Sequence, residues 1–212
     1  MKRSAIEPFL KGWILGCAIL AAPGGSSDAA SPIDPDWPCV QPKVPQISAG
    51  QVWNGPPIDE VGETWRDDPA ISDLAPKLAA RRTTLDEAKT LIAQFAEAGQ
   101  GDKNKQLTAL FAGTLSLINS ERASIIAGIG RYAKRQKALS KKIADEMAEL
   151  GRLPQDDSAD SVSQREDLLE VQAWDVRIFQ EREKSLRYVC EQPVVLEQRA
   201  FAIGREILTH IE

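Results

Sequence analysis

From about Ser72 to the end of the chain, apolar residues recur at helical spacing. No stretch alternates for longer than four or five residues, as a half-buried strand would. Residues 72–82 read as a short helix, or as the first part of the helix that follows, with Pro76 in its opening turn. Thr84 and Glu87 stand in the T-x-x-E spacing of a capping box. Leu85, Ala88, Leu91, Ile92 and Phe95 then share one face until Gly99 stops the helix. Asp102 is placed to cap a further helix running to about Leu150, where Gly151 and Pro154 end it. A helix of about 48 residues is ~72 Å long.

Two heptad rows run along that helix. One is Phe111, Ile118, Ile125, Tyr132, Leu139 and Glu146, and the other is Leu115, Arg122, Ile129, Gln136, Ile143 and Leu150. Nine of these twelve positions are apolar, which predicts coiled-coil-like packing. Gly113, Gly128 and Gly130 each weaken the helix by up to ~1 kcal/mol and leave room for close approach or a bend. A second capping box, Ser163 and Glu166, opens a third helix with Leu168, Val171, Ile178, Phe179, Leu186 and Val189 on a broad apolar face. Pro193 lacks a backbone donor and is expected to break or kink it near Cys190. A last helical stretch should bury Leu196, Phe201, Ile203 and Ile207. The fold class is all-α, an elongated antiparallel helical bundle of about three long helices over residues 72–212.

The preceding segment is different. Residues 32–70 hold eight of the thirteen prolines and three of the five tryptophans. Proline at this density forbids a long helix and favours extended, polyproline-like chain with turns. Large aromatic side chains in such a segment call for cover. Residues 30–71 are therefore expected to form an extended arm docked on the bundle, anchored by Trp37, Trp53, Trp65 and Cys39.

The first residues have the form of a targeting segment. Lys2, Arg3 and Lys11 precede an apolar run of eleven residues, 12–22, which suits a signal-peptide core and falls short of the ~20 a membrane span requires. Ser27, Asp28 and Ala29 place small residues for cleavage after Ala29, giving a signal peptide of residues 1–29 and a periplasmic or secreted protein. An uncleaved anchor and lipidation at Cys17 are the alternatives. Cleavage leaves 23 basic and 29 acidic residues and a net charge of −6. That balance offers nucleic acid or anionic lipid no general attraction, and the mature chain carries no segment for stable membrane insertion. Two cysteines also remain, Cys39 and Cys190. An even pair in an oxidising compartment reads as a disulfide, with two unpaired thiols as the alternative. Closing a loop of roughly 150 residues is worth up to ~5 kcal/mol on chain-entropy grounds.

Candidate chemistry is sparse. The chain is 42% hydrophobic and 27% charged, enough apolar material for a core, but it has a single histidine, His210. No histidine stands where it could activate a serine, and no G-x-S-x-G, P-loop or C-x-x-C-H motif occurs, so no catalytic residue is assigned and no cofactor is expected. Asp156, Asp157 and Asp160 cluster in a turn but lack the spacing of a calcium loop, and His210 with Glu206 lacks further ligands, so no metal site is assigned. Arg131, Lys134, Arg135, Lys137, Lys141 and Lys142 form a basic arc on the long helix, either a solvated face or a surface for an acidic partner.

Asp36-Trp37-Pro38-Cys39-Val40-Gln41, then Lys43-Val44-Pro45, Val52-Trp53 and Gly55-Pro56, resembles the start of the mature region in a group of uncharacterised bacterial exported proteins. The resemblance implies export and brings no activity, cofactor or catalytic residue. The expected function is thus a non-enzymatic exported interaction or scaffold protein with a protein partner, homodimerisation being one form of that. The alternative is a small-ligand- or metal-binding protein with its pocket between arm and bundle, near the three tryptophans.

Overall fold

The computed structural model describes residue 34 and residues 36–99 and 101–212; the expected signal peptide, its cleavage site and Cys17 lie outside the described residues. All regular structure among the described residues is helical. Helix α1 is Ala49–Val52, α2 Pro69–Ala79, α3 Leu85–Ala98, α4 Lys103–Leu150 and α5 Ala159–Leu208, with 3-10 turns at Ile58–Glu60 and Thr64–Arg66.

Local chemistry sets most of these boundaries. Asp68 accepts hydrogen bonds from the backbone N–H groups of Ala70 (2.9 Å) and Ile71 (3.3 Å). With Pro69 as first helical residue, this starts α2 three residues before the sequence expectation. Pro76 consequently sits in the later part of α2, not in its opening turn. The capping box of α3 forms as expected: Glu87 N–H donates to Thr84 Oγ1 (3.2 Å), and Thr84 N–H donates to Glu87 Oε2 (2.7 Å). Asp102 caps α4 through the N–H of Lys105 (3.0 Å), and the helix runs 48 residues to Leu150, the predicted span.

Helix α5 departs from the sequence reading at both of its predicted landmarks. Ser158, not Ser163, is its cap, accepting from the N–H of Ser161. Asp156 prepares that cap by accepting from the Ser158 N–H (3.1 Å) and hydroxyl (2.6 Å). An N-terminal signal already satisfied five residues earlier leaves Ser163 and Glu166 inside the helix. Nor does Pro193 end it: α5 is one helix of 50 residues. Cys190, Pro193 and Leu196 are all buried, and the Arg122 guanidinium donates to the Pro193 carbonyl. Packing on both sides of the proline holds the chain helical against its local preference.

Helices α4 and α5 lie antiparallel. Going along α4, Arg122 meets Pro193, Tyr132 donates to the carbonyl of Arg182, Gln136 to that of Phe179, and Lys142 pairs with Asp175. At the base of this hairpin, α2 packs on α4 and α3 on α5. The core draws Ile71, Leu74 and Leu78 from α2, Ala88 and Ile92 from α3, and Leu107 to Ile118 from α4. From α5 it takes Leu196, Ala200, Ile203 and Ile207. Buried positions spaced in this way leave Phe201 on the flank, 46% exposed, where burial was expected. Val171 is likewise 45% exposed, on the flank of the face it was expected to join.

The proline-rich segment is less extended than its composition suggests. The ten residues between Pro45 and Pro56 contain no proline, and the Ser48 N–H donates to Gln51 Oε1 (3.1 Å) at the start of α1. Ile47, Val52, Trp53, Val61 and Trp65 of this segment share the core of the helices, and the described residues form one compact unit.

Candidate functional site: a disulfide-closed cleft and a two-helix hairpin

Two places combine exposed side chains with geometry that could engage another molecule. The first is where the segment before α1 crosses α4 and α5. Cys39 and Cys190 are joined by a disulfide, with their Cα atoms 5.6 Å apart. Beside it lies a cleft of about 260 Å³, walled by Trp37, Pro42, Val44, Ile126, Pro193 and Val194. Its floor contains Arg122, 5% exposed. The guanidinium donates from Nε to the carbonyl of Val44 (2.8 Å) and from a terminal nitrogen to that of Pro193, while Glu197 stands 3.6 Å away. Burial pulls the guanidinium below its usual range, and the Glu197 carboxylate partly offsets that. The arginine remains charged and ties the segment to α5 through α4. Its sequence signal was a charged residue in a mostly apolar heptad row.

Further along the segment, Asn119 makes a paired contact with Ile47, accepting from its N–H (2.8 Å) and donating to its carbonyl (3.0 Å). No sequence pattern marked Asn119. Trp53 stacks on Phe111 with ring centroids 4.2 Å apart, and its indole donates to the Pro56 carbonyl (2.7 Å). Trp65, 3% exposed, lies against Gly113 of α4. Of the three tryptophans, only Trp37 lines the cleft; the other two are core residues. Trp37 donates to the carbonyl of Gln41 (2.7 Å), with the Lys43 ammonium 5.9 Å from its ring centre.

A second buried arginine, Arg199, was also unmarked in sequence. Its Nε donates to the carbonyl of Leu78 (2.6 Å), one of the last acceptors of α2, so it caps that helix from α5. Burial lowers its proton affinity and Glu121 counteracts this.

The second place is the hairpin beyond the core. The core cluster takes α4 residues only as far as Ile118 and α5 residues only from Leu196, so most of the remaining hairpin is two helices packed on each other. Along this stretch the heptad positions Tyr132, Gln136, Leu139, Ile143 and Leu150 are half-buried, and Glu146 is buried. Trp174 is 61% exposed on α5. The six residues of the basic arc are all exposed. Lys137 pairs with Asp36 (2.9 Å), Lys141 with Asp145 (2.7 Å), and Lys142 with Asp175 and Glu146 (3.2 Å). These last contacts raise the proton affinity of Lys142, Asp175 contributing most. Among the described residues, Arg131, Lys134 and Arg135 form no ion pair.

The remaining candidates lie apart from both places. Asp156 organises the α4–α5 turn, and its bonds from Ser158 hold its carboxyl below the usual range. Asp157 and Asp160 are exposed. His210 sits 3.7 Å from Glu206, one helical turn away. Among the described residues no group of three or more histidine, cysteine, aspartate or glutamate side chains is arranged to hold a metal. No helix among them is long and apolar enough to cross a membrane. No protein-family model matches the chain, and neither a curated protein nor a solved structure is significantly similar to it.

Proposed function

We propose that the protein is an exported, non-enzymatic interaction factor. In this reading the proline-rich segment, the disulfide and the short helices make a rigid base, and the α4–α5 hairpin offers the partner-binding surface. The observation that carries the reading is the outward side of that hairpin, where Trp174 and Val171 stand exposed, with the Arg177 guanidinium 5.8 Å from the Trp174 ring centre and Arg131 and Arg135, unpaired among the described residues, further along α4. An exposed aromatic flanked by arginines is the composition of interface centres rather than of idle surface. Export is supported by the leader-like first residues and by the cysteine bridge, which suits an oxidising compartment.

Site-specific photo-crosslinking in the native host tests the surface. A crosslinker at position 174 should give a discrete protein adduct, and one at the exposed Gln180 should not. No adduct at 174 above the level at 180 overturns the reading. N-terminal sequencing should find Ala30 as the first residue; Met1 or a lipidated Cys17 would remove cleavage after Ala29.

A second reading has a specific observation behind it. The cleft beside the disulfide joins an indole, two prolines and aliphatic walls to a buried guanidinium and Glu197, which suits a small amphipathic molecule. Native mass spectrometry of protein purified from its own host should then show a bound small molecule that Trp37→Ala loses; a clean apo mass sets this reading aside.

A further inference from the structure

One long side of the distal hairpin carries three zones in sequence. Nearest the core are Arg131, Lys134 and Arg135 of α4, exposed and outside any ion pair among the described residues. In the middle, α5 contributes Val171, Trp174 and Ile178 at the i, i+3, i+7 spacing of one helical face. Nearest the turn are Glu149 of α4 and Asp167 of α5, both exposed. Two observations place the zones on the same side. Lys142, one helical face with Arg135 and Arg131, reaches across to Asp175. Glu149, Asp167 and Val171 line a common groove.

The spacing is close to symmetric. Arg135 and Glu149 are fourteen residues apart on α4, about 21 Å along the axis. The Lys142–Asp175 contact sets Trp174 level with the midpoint between them. Basic and acidic zones therefore lie about 10 Å to either side of the apolar one. A two-fold axis lying in the interface plane at the apolar zone, perpendicular to the length of the hairpin, sets Arg135 of one copy opposite Glu149 of the other and the reverse. A partner of one charge sign would satisfy one zone and be repelled by the other. A second copy of this chain, turned end for end, presents both signs at the required separation, while a parallel copy sets like charges against each other.

We propose that the occupant of this surface is a second copy of the chain, forming a two-fold antiparallel dimer in which two hairpins pack into a four-helix arrangement. The proposal rests on the reading of the hairpin as a docking surface and names its partner. Its centre is the Val171–Trp174–Ile178 stripe, and its register comes from Arg135 facing Glu149 of the other copy in both halves.

Sedimentation equilibrium of the full processed chain tests it. The wild-type chain should be dimeric. Arg135→Glu and Glu149→Arg each introduce two like-charge contacts and should each weaken the dimer by about tenfold or more. Both positions are exposed, so circular dichroism should show both variants folded. Mixed in equal amounts, the two variants should recover wild-type association, since the mixed pair restores both contacts. A wild-type chain that is monomeric at every concentration, or a dimer whose affinity neither variant changes, overturns the two-fold pairing. A monomer that still crosslinks from position 174 to another protein fails this proposal alone; a monomer with no adduct fails the docking surface as well.

Discussion

Gly113 of α4 and Trp65 of the proline-rich segment are in such close contact that a Cβ at position 113 would stand 2.7 Å from Cδ2 of the indole. The ring has little freedom to withdraw. It is almost fully buried, and the Arg66 guanidinium stacks over it 4.1 Å from the ring centre. A glycine that weakens the long helix on its own thus lets another part of the chain seat a large aromatic against the helix backbone.

Gly113→Ala should therefore destabilise the protein, by about 1–2 kcal/mol once overpacking is set against the gain in helix propensity. Gly130→Ala, on the same helix with nothing within 4 Å of the added carbon, should stabilise by up to ~1 kcal/mol. Urea unfolding midpoints of the two variants should move in opposite directions. A shared direction would mean that the Trp65 contact does not control position 113.

Arg122→Met keeps an apolar stem but leaves the carbonyls of Val44 and Pro193 without this donor. A loss of about 2–4 kcal/mol is expected in urea unfolding. Arg122→Lys should recover little of it, because one ammonium lacks the planar fork that reaches both acceptors. Near-complete recovery by lysine would show that charge near Glu197 matters and the two carbonyl bonds do not.

Reduction of the Cys39–Cys190 bridge should free only the residues before Val44. From Val44 onward the segment is held by the Arg122 bond to the Val44 carbonyl, by the paired Asn119 contact and by Trp53 on Phe111, none of which depends on the disulfide. Limited proteolysis of a Cys39→Ser variant should thus cut at positions 36–43 and spare 47–68, with the helical signal largely kept. Cleavage throughout 47–68 would show that the bridge holds the whole segment.

The Glu87 carboxyl is held below the usual carboxylate range by the hydrogen bonds it accepts from the Thr84 backbone and hydroxyl. A group whose folded-state value is lowered contributes stability above its unfolded value and loses it as pH falls through the folded one. Protection factors of the amides in the first turn of α3, measured against the intrinsic exchange rate at each pH, should accordingly fall on acidification below the ordinary glutamate range. In Glu87→Gln that acid-side change should shrink. An unchanged pH profile in the variant would assign the effect to other carboxylates.

The residues that determine their own surroundings were legible from sequence alone. Asp102 and Leu150 bounded α4 correctly, and Thr84 with Glu87 bounded the start of α3, because a cap or a helix stop acts over three or four residues of the same chain. The pairing of Cys39 with Cys190 was also legible, since the third cysteine, Cys17, falls in the segment read from sequence as a leader. What tertiary structure decided involves residues far apart in the chain. Pro193 stays helical because Arg122, seventy-one residues earlier, and the buried neighbours of α5 outweigh its local preference. Ile47 is tied to Asn119 seventy-two residues away, and Arg199 caps α2 from a hundred and twenty-one residues away. Gly113 and Gly130 read identically in sequence, yet only one meets a tryptophan. Local propensities amount to at most about 1 kcal/mol per residue, or about 3 for a proline inside a helix, and the buried contacts between distant segments together exceed that, so where the two disagreed the contacts prevailed.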